Sequence, residues 1–253
     1  MDQKRKKYFD KEQAVVFIII VILTMASWIY TARASVSGSG MSMDMTGAVD
    51  PEMDAQMAGR LTEAAWKPVM LPFSMFVPMW VVMCIGMMLP TAVPMIFAFD
   101  IISKRRRKQG FGNSSSYLFI GGYILLWALF GIICWLAGEG IMLLIGNRFT
   151  SWIHTLWGVA AVFLIAGIYQ LSPFKDACMR GCQHPLSFIM HNWKAGAGGA
   201  LLMGMKHGME CIGCCWALMI VLFPLGMMNL FWMGLFTLIM FFEKKSRFGT
   251  LLS

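Results

Sequence analysis

Apolar positions in this chain come in long runs broken by short polar and basic segments. The runs fall at 14–32, 72–99, 117–145, 152–171, 197–224 and 226–242. Each is close to or above the ~20 residues that cross a hydrocarbon core, the last being slightly short. The pattern predicts an all-α, polytopic membrane bundle of six transmembrane helices. The first run is too long for a signal peptide and no small-residue cleavage pattern closes it, so it is kept as a helix. Residues 33–70, rich in Gly, Ser, Met and Asp, separate the first two runs. The chain thus divides into a tail with the first helix (1–32), a Met-rich extracytoplasmic loop (33–70) and a five-helix core (71–253).

Composition agrees with lipid as the solvent. Of 253 residues 58% are hydrophobic and 13% charged, where a soluble domain carries about a quarter charged. The net charge of +8 is no sign of nucleic acid here, because the basic residues cluster beside the apolar runs. Sixteen of the 21 Lys and Arg fall on one side, including Lys4 to Lys11, Lys104 to Lys108, Lys175, Arg180, Lys194, Lys244 and Lys245. Arg33, Arg60, Lys67 and Arg148 lie on the other. That asymmetry puts both termini in the cytoplasm and the chain in the cytoplasmic (inner) membrane. Trp28, Tyr30, Trp66, Tyr117, Trp152 and Tyr169, near span ends, read as interfacial anchors.

Methionine, at 25 residues, is the outlier. Its thioether is a soft ligand that suits Cu(I), and also an adaptable core filler. Met41, Met43 and Met45, followed by Met53 and Met57, alternate in the polar loop, where packing does not explain them. Met75, Met79, Met83 and Met87 recur every four residues, which sets them on one helix face. Cys84 and Met88 lie on the adjacent stripe with Trp80. Pro90 frees the carbonyl of Gly86 and predicts a kink beside the lower methionines.

The densest chemistry is on the fifth run. Met203, His207, Cys211 and Cys214 or Cys215 share a face, so a Cys-x-x-Cys with a histidine one turn before it offers sulfur and imidazole to one ion. Lys206 and Glu210, also four apart, read as an intramembrane charge pair in a supporting role. Cys178 and Cys182 share a face if their segment is helical, and are expected as a separate cytoplasmic thiol pair. Glu139, ionisable within the third run, is a candidate for a pathway. None of the seven cysteines falls in the outer loop, which argues against a disulfide scaffold.

Several stretches together resemble a known family, that of predicted metal-binding integral membrane proteins of unassigned function. They are Trp80 to Pro90 (WVVMCIGMMLP), Tyr169 to Pro185, Met203 to Met219 (MGMKHGMECIGCCWALM), Gly226 to Met233 and Glu243-Lys244. The resemblance covers about residues 76–244. It implies metal binding through His207, Cys211, Cys214, Cys215, Cys178 and Cys182.

The expected function is handling of a soft metal ion, Cu(I) first. The ion would move from outer thioethers through the methionine ladder and the His/Cys cluster to the inner thiol pair, for import or for delivery to a copper-enzyme subunit or a copper chaperone. The alternatives are a membrane thiol oxidoreductase using Cys211/Cys214 and Cys178/Cys182, or a structural subunit of a larger membrane complex. No nucleotide-binding motif is present, and no catalytic residue is assigned.

Overall fold

The computed structural model describes residues 11–38, 72–109, 114–145, 155–225 and 229–245. The fold is all-α, with eight helices among the described residues: α1 (Lys11–Gly38), α2 (Phe73–Lys108), α3 (Ser116–Ile145), α4 (Leu156–Gln170), α5 (Pro173–Gln183), α6 (Pro185–Asn192), α7 (Gly196–Leu225) and α8 (Leu230–Lys245). Most of the 33–70 segment, with Met41, Met43, Met45, Met53 and Met57, lies outside the described residues. The first helix continues past the expected end at 32.

Among the described residues, α1, α2, α3 and α7 are long and apolar enough to cross a membrane, and the bent pair α4 and α5 raises the number to five. The expectation of six straight spans therefore changes in two places. The fourth run stops at Gln170 and the chain turns by 62° into α5. Ser172 and Pro173 explain the break, since Pro donates no N–H and Ser172 Oγ accepts from Lys175 N at 3.4 Å to start a new helix. The last helix has only 16 residues, about 24 Å at 1.5 Å per residue, short of a ~30 Å hydrocarbon core.

Helices α2 and α3 run antiparallel, with Phe99 stacked on Phe119 at 4.7 Å and Trp80 Nε1 donating to the carbonyl of Trp127 at 3.1 Å. Helix α3 lies beside α7 in the same direction, and the two backbones touch. A Cβ at Gly204 would run into the carbonyl of Phe119, and one at Gly122 into the carbonyl of Leu201. Small residues at such crossings let helices associate where lipid provides no hydrophobic drive. The core is centred on α2 and α7, where Trp80, Met87, Met88, Met203, Cys211 and Met219 are almost wholly buried. Helix α1, by contrast, exposes Ile18, Ile22, Met25 and Ile29 along much of its surface, as a lipid-facing helix does.

Two tyrosine and tryptophan anchors serve the interior instead. Trp28 Nε1 donates to the carbonyl of Gly86 at 3.2 Å, the very group that Pro90 leaves unpaired. Tyr169, in the last turn of α4, donates its hydroxyl to the carbonyl of Gly213 on α7.

A thiol cluster between two helices

The middle of α7 carries the cluster. Cys211, Cys214 and Cys215 occupy successive positions of about one turn, and their sulfurs all lie within 4.8 Å of one another in a fully buried setting. Cys214 Sγ donates to the carbonyl of Cys211 at 3.2 Å and sits 3.2 Å from Cys215 Sγ.

A fourth sulfur arrives from α5. Cys182 Sγ is 4.0 Å from Cys214 Sγ. Its helix-mate Cys178 packs its sulfur against Gly213, where a Cβ would collide with it. The 178/182 pair is thus helical, as its spacing suggests, but it does not form a separate cytoplasmic stage. Helix α5 folds back onto α7, so the pair lies at the depth of the cluster. The absent side chain at Gly213 makes that approach possible.

The distances decide what this arrangement can hold. With metal–sulfur bonds of about 2.3 Å, two ligands of one ion lie about 3.8 Å apart in a tetrahedral site, 4.0 Å in a trigonal one and 4.6 Å in a linear one. The Cys182–Cys214 separation of 4.0 Å falls in that range with no rearrangement. At 3.2 Å, the Cys214–Cys215 pair is too close for both to bind one ion until a side chain rotates. The donor set is entirely thiol, which suits soft ions.

Three groups that sequence reasoning did not assign to the site line it. Tyr123, on α3, places its hydroxyl 3.1 Å from Cys211 Sγ and 3.5 Å from the carbonyl of Met88. Lys244, near the end of α8, donates to Cys211 Sγ at 3.1 Å and to Thr91 Oγ1 at 2.9 Å. Thr91 follows Pro90 and donates in turn to the carbonyl of Met88 at 2.8 Å. The sequence does carry one signal for Lys244: it abuts Glu243 at the end of an apolar run, where a charge pair is open to an interior role.

The remaining candidates distribute as follows. His207 is 2% exposed and stands one turn before Cys211, among the rings of Phe119, Tyr123 and Phe188 at 6.0, 5.5 and 5.7 Å. Its Nδ1 has no hydrogen-bond partner, and neither of its nitrogens joins the group of three sulfurs. Met203 is buried a further turn away. The α2 ladder grades inward: Met75 is 62% exposed, Met79 is half-buried, and Met83 and Met87 are buried. Cys84 borders a small void with Leu89, Tyr123 and Trp127, and Met88 reaches the site only through its carbonyl.

Two expectations change. Lys206 and Glu210 form no ion pair within 4 Å. Lys206 donates instead to Asn192 Oδ1 at the end of α6, and Glu210 Oε2 is buried against Gly181 without a partner. A lysine four residues ahead of a glutamate is also the weaker order for a helical pair. Glu139 lies sixteen residues beyond Tyr123 on α3, about 24 Å along the axis, and takes no part in the cluster.

A further correction concerns the basic residues. Lys175 is 4% exposed and pairs with Glu243 Oε1 at 2.7 Å. Gln170 Nε2 also reaches Glu243 Oε1, at 3.3 Å, and Gln183 Nε2 donates to the Glu243 carbonyl at 3.0 Å. Lys175 is buried and Lys244 half-buried, and both are engaged within the bundle.

A family model described as PpoB2, copper chaperone, aligns with residues 77–253. No curated protein and no solved structure matches the chain.

Proposed function

This chain belongs to the PpoB2 copper chaperone family, and from that premise we propose that it carries Cu(I) through the inner membrane on buried thiols and hands it to a copper enzyme under assembly. The observation that carries the proposal is the 4.0 Å separation of Cys182 and Cys214 across two helices, beside the three-sulfur group of α7. Sulfurs at ligand spacing, buried and drawn from separate elements, make a donor set that a soft monovalent ion fills.

In this reading the ion is cargo. Met41, Met43 and Met45 collect it outside, in the segment that follows α1. Met75, Met79, Met83 and Met87 pass it inward by thioether exchange, with Cys84 alongside. Cys211, Cys214, Cys215 and Cys182 hold it, and thiolates outbid thioethers for it. His207 and Met203, one and two turns nearer the start of α7, receive it for release. The free Nδ1 of His207 supports that role, since a buried polar atom without a partner is costly. Helices α4, α5 and α6 together make one broken traverse and α8 the last. That arrangement gives six passes with both termini in the cytoplasm. Discontinuous helices around an ion site are a recurring solution in membrane transporters.

Copper stoichiometry tests the proposal. Wild-type protein from copper-replete cells, purified in mild detergent, should hold close to one copper per chain by mass spectrometry. Cys211→Ala/Cys214→Ala should hold less than a tenth of that while inserting normally. A wild type without copper, or a double variant that keeps it, would sink the proposal.

A further inference from the structure

A cluster of cysteines does not by itself select copper. Thiolates bind Zn(II) tightly, and the affinity order of divalent ions gives a thiol site no reason to refuse it. Something besides softness must distinguish ions in this cluster, and one group beside it carries a fixed charge.

That group is Lys244. Its Nζ is held from two sides, by Cys211 Sγ at 3.1 Å and Thr91 Oγ1 at 2.9 Å. Its position is fixed at the backbone as well. The neighbouring Glu243 is tied to α5 through Lys175 at 2.7 Å and through Gln183 at 3.0 Å. Among the described residues no carboxylate lies within 4.0 Å of Lys244 Nζ, because the Glu243 carboxylate turns to Lys175. Cys211 Sγ and Thr91 Oγ1 are therefore the partners of this ammonium.

We propose that Lys244 is a specificity-determining residue, a fixed positive charge that makes the thiol cluster accept monovalent and reject divalent soft ions. The inference rests on the reading of Cys211 and its neighbours as the ion site. An ion bound to Cys211 Sγ by a bond of about 2.3 Å lies no more than about 5.4 Å from an ammonium that is 3.1 Å from the same sulfur. Repulsion between the two grows in proportion to the ion's charge. A divalent ion meets twice the repulsion of a monovalent one at equal ligation. At the effective screening of a protein interior, the extra unit charge lowers divalent affinity by about a hundredfold or more. Thr91 keeps the ammonium in place when the sulfur turns to the ion.

The test compares ions that share thiol ligands and differ in charge. Full-length protein in detergent is titrated with Ag(I) and with Cd(II), and the ratio of the two affinities is read for wild type and variants. Lys244→Met should raise Cd(II) affinity at least tenfold relative to Ag(I). Lys244→Gln, a second neutral replacement, should do the same should the first fail to fold. Lys244→Arg should keep the wild-type ratio. An unchanged ratio in the neutral variants, with Ag(I) still bound by wild type, overturns the inference and leaves the copper reading standing. A wild type that binds no Ag(I) overturns both.

Discussion

The indole of Trp28 on α1 donates to the carbonyl of Gly86 on α2 at 3.2 Å. Pro90, four residues on, has no N–H to offer that carbonyl. The proline in α2 and the seating of α1 are therefore linked, a vacancy in one helix filled by a donor from the other. Gly86 also lies against the ring edge, with Trp28 Nε1 3.6 Å from where a Cβ would stand.

Trp28→Phe should therefore lower stability by about 1 kcal/mol, within the range found for hydrogen bonds inside membrane proteins. The same change in a Pro90→Ala background, where the amide returns, should cost less. Thermal unfolding in detergent of the single and double variants gives the coupling. Equal costs in both backgrounds would detach Trp28 from the proline.

The α3–α7 contact predicts opposite signs for two glycine substitutions. Gly204→Ala drives a methyl into the carbonyl of Phe119, backbone that cannot turn aside. It should lower the melting temperature by several degrees, an overpacking cost of about 1–3 kcal/mol. Gly121→Ala, in the interior of α3 with nothing within 4 Å of the added carbon, should leave stability unchanged or raise it by up to about 1 kcal/mol, from helix propensity alone.

Glu243 and Lys175 form a largely buried pair at 2.7 Å, with side chains 29% and 5% exposed. Lys175→Met leaves the carboxylate with only Gln170 and should cost stability near the lower end of about 3–5 kcal/mol, given the partial exposure of Glu243. Lys175→Met/Glu243→Met should recover much of the loss, since an apolar pair at such a place is often neutral. Denaturant unfolding in detergent would separate these outcomes. A double variant as unstable as the single would mean that the packing of the lysine stem matters more than the charge.

How much of this was legible in the sequence depends on the range of each contact. The Cys211, Cys214 and Cys215 spacing is local, and helical geometry alone brings those sulfurs together. Cys182 joins them through a 62° turn at Ser172 that hydropathy does not register, because an apolar run gives length and not direction. Lys244 and Lys175 look like topology charges because composition cannot tell a lysine at the bundle edge from one folded into it. Lys206 and Glu210 have a pairing distance in sequence, but the competing acceptor, Asn192, stands fourteen residues away and depends on how α6 meets α7. The proline at position 90 was readable as a freed carbonyl, while its partner 58 residues earlier was not.

The two cysteines of α5 provide the sharpest functional prediction. Spacing treats Cys178 and Cys182 alike, as an i, i+4 pair on one face. The fold separates them: Cys182 Sγ is 4.0 Å from Cys214 Sγ, whereas the Cys178 sulfur stands against Gly213. If the ion binds where the sulfurs converge, Cys182→Ser should weaken Ag(I) binding at least tenfold, because a hydroxyl is a poor ligand for a soft ion. Cys178→Ser should change it less than threefold. Both substitutions are small and nearly isosteric, so the difference is read against matched folding, checked by gel filtration and melting. A two-thiol shuttle would respond differently. There Cys178 and Cys182 exchange as partners, and either serine should abolish function equally. Competition titrations on the two variants thus separate ion binding between Cys182 and the α7 sulfurs from redox exchange within one helix, and equal losses would favour the latter.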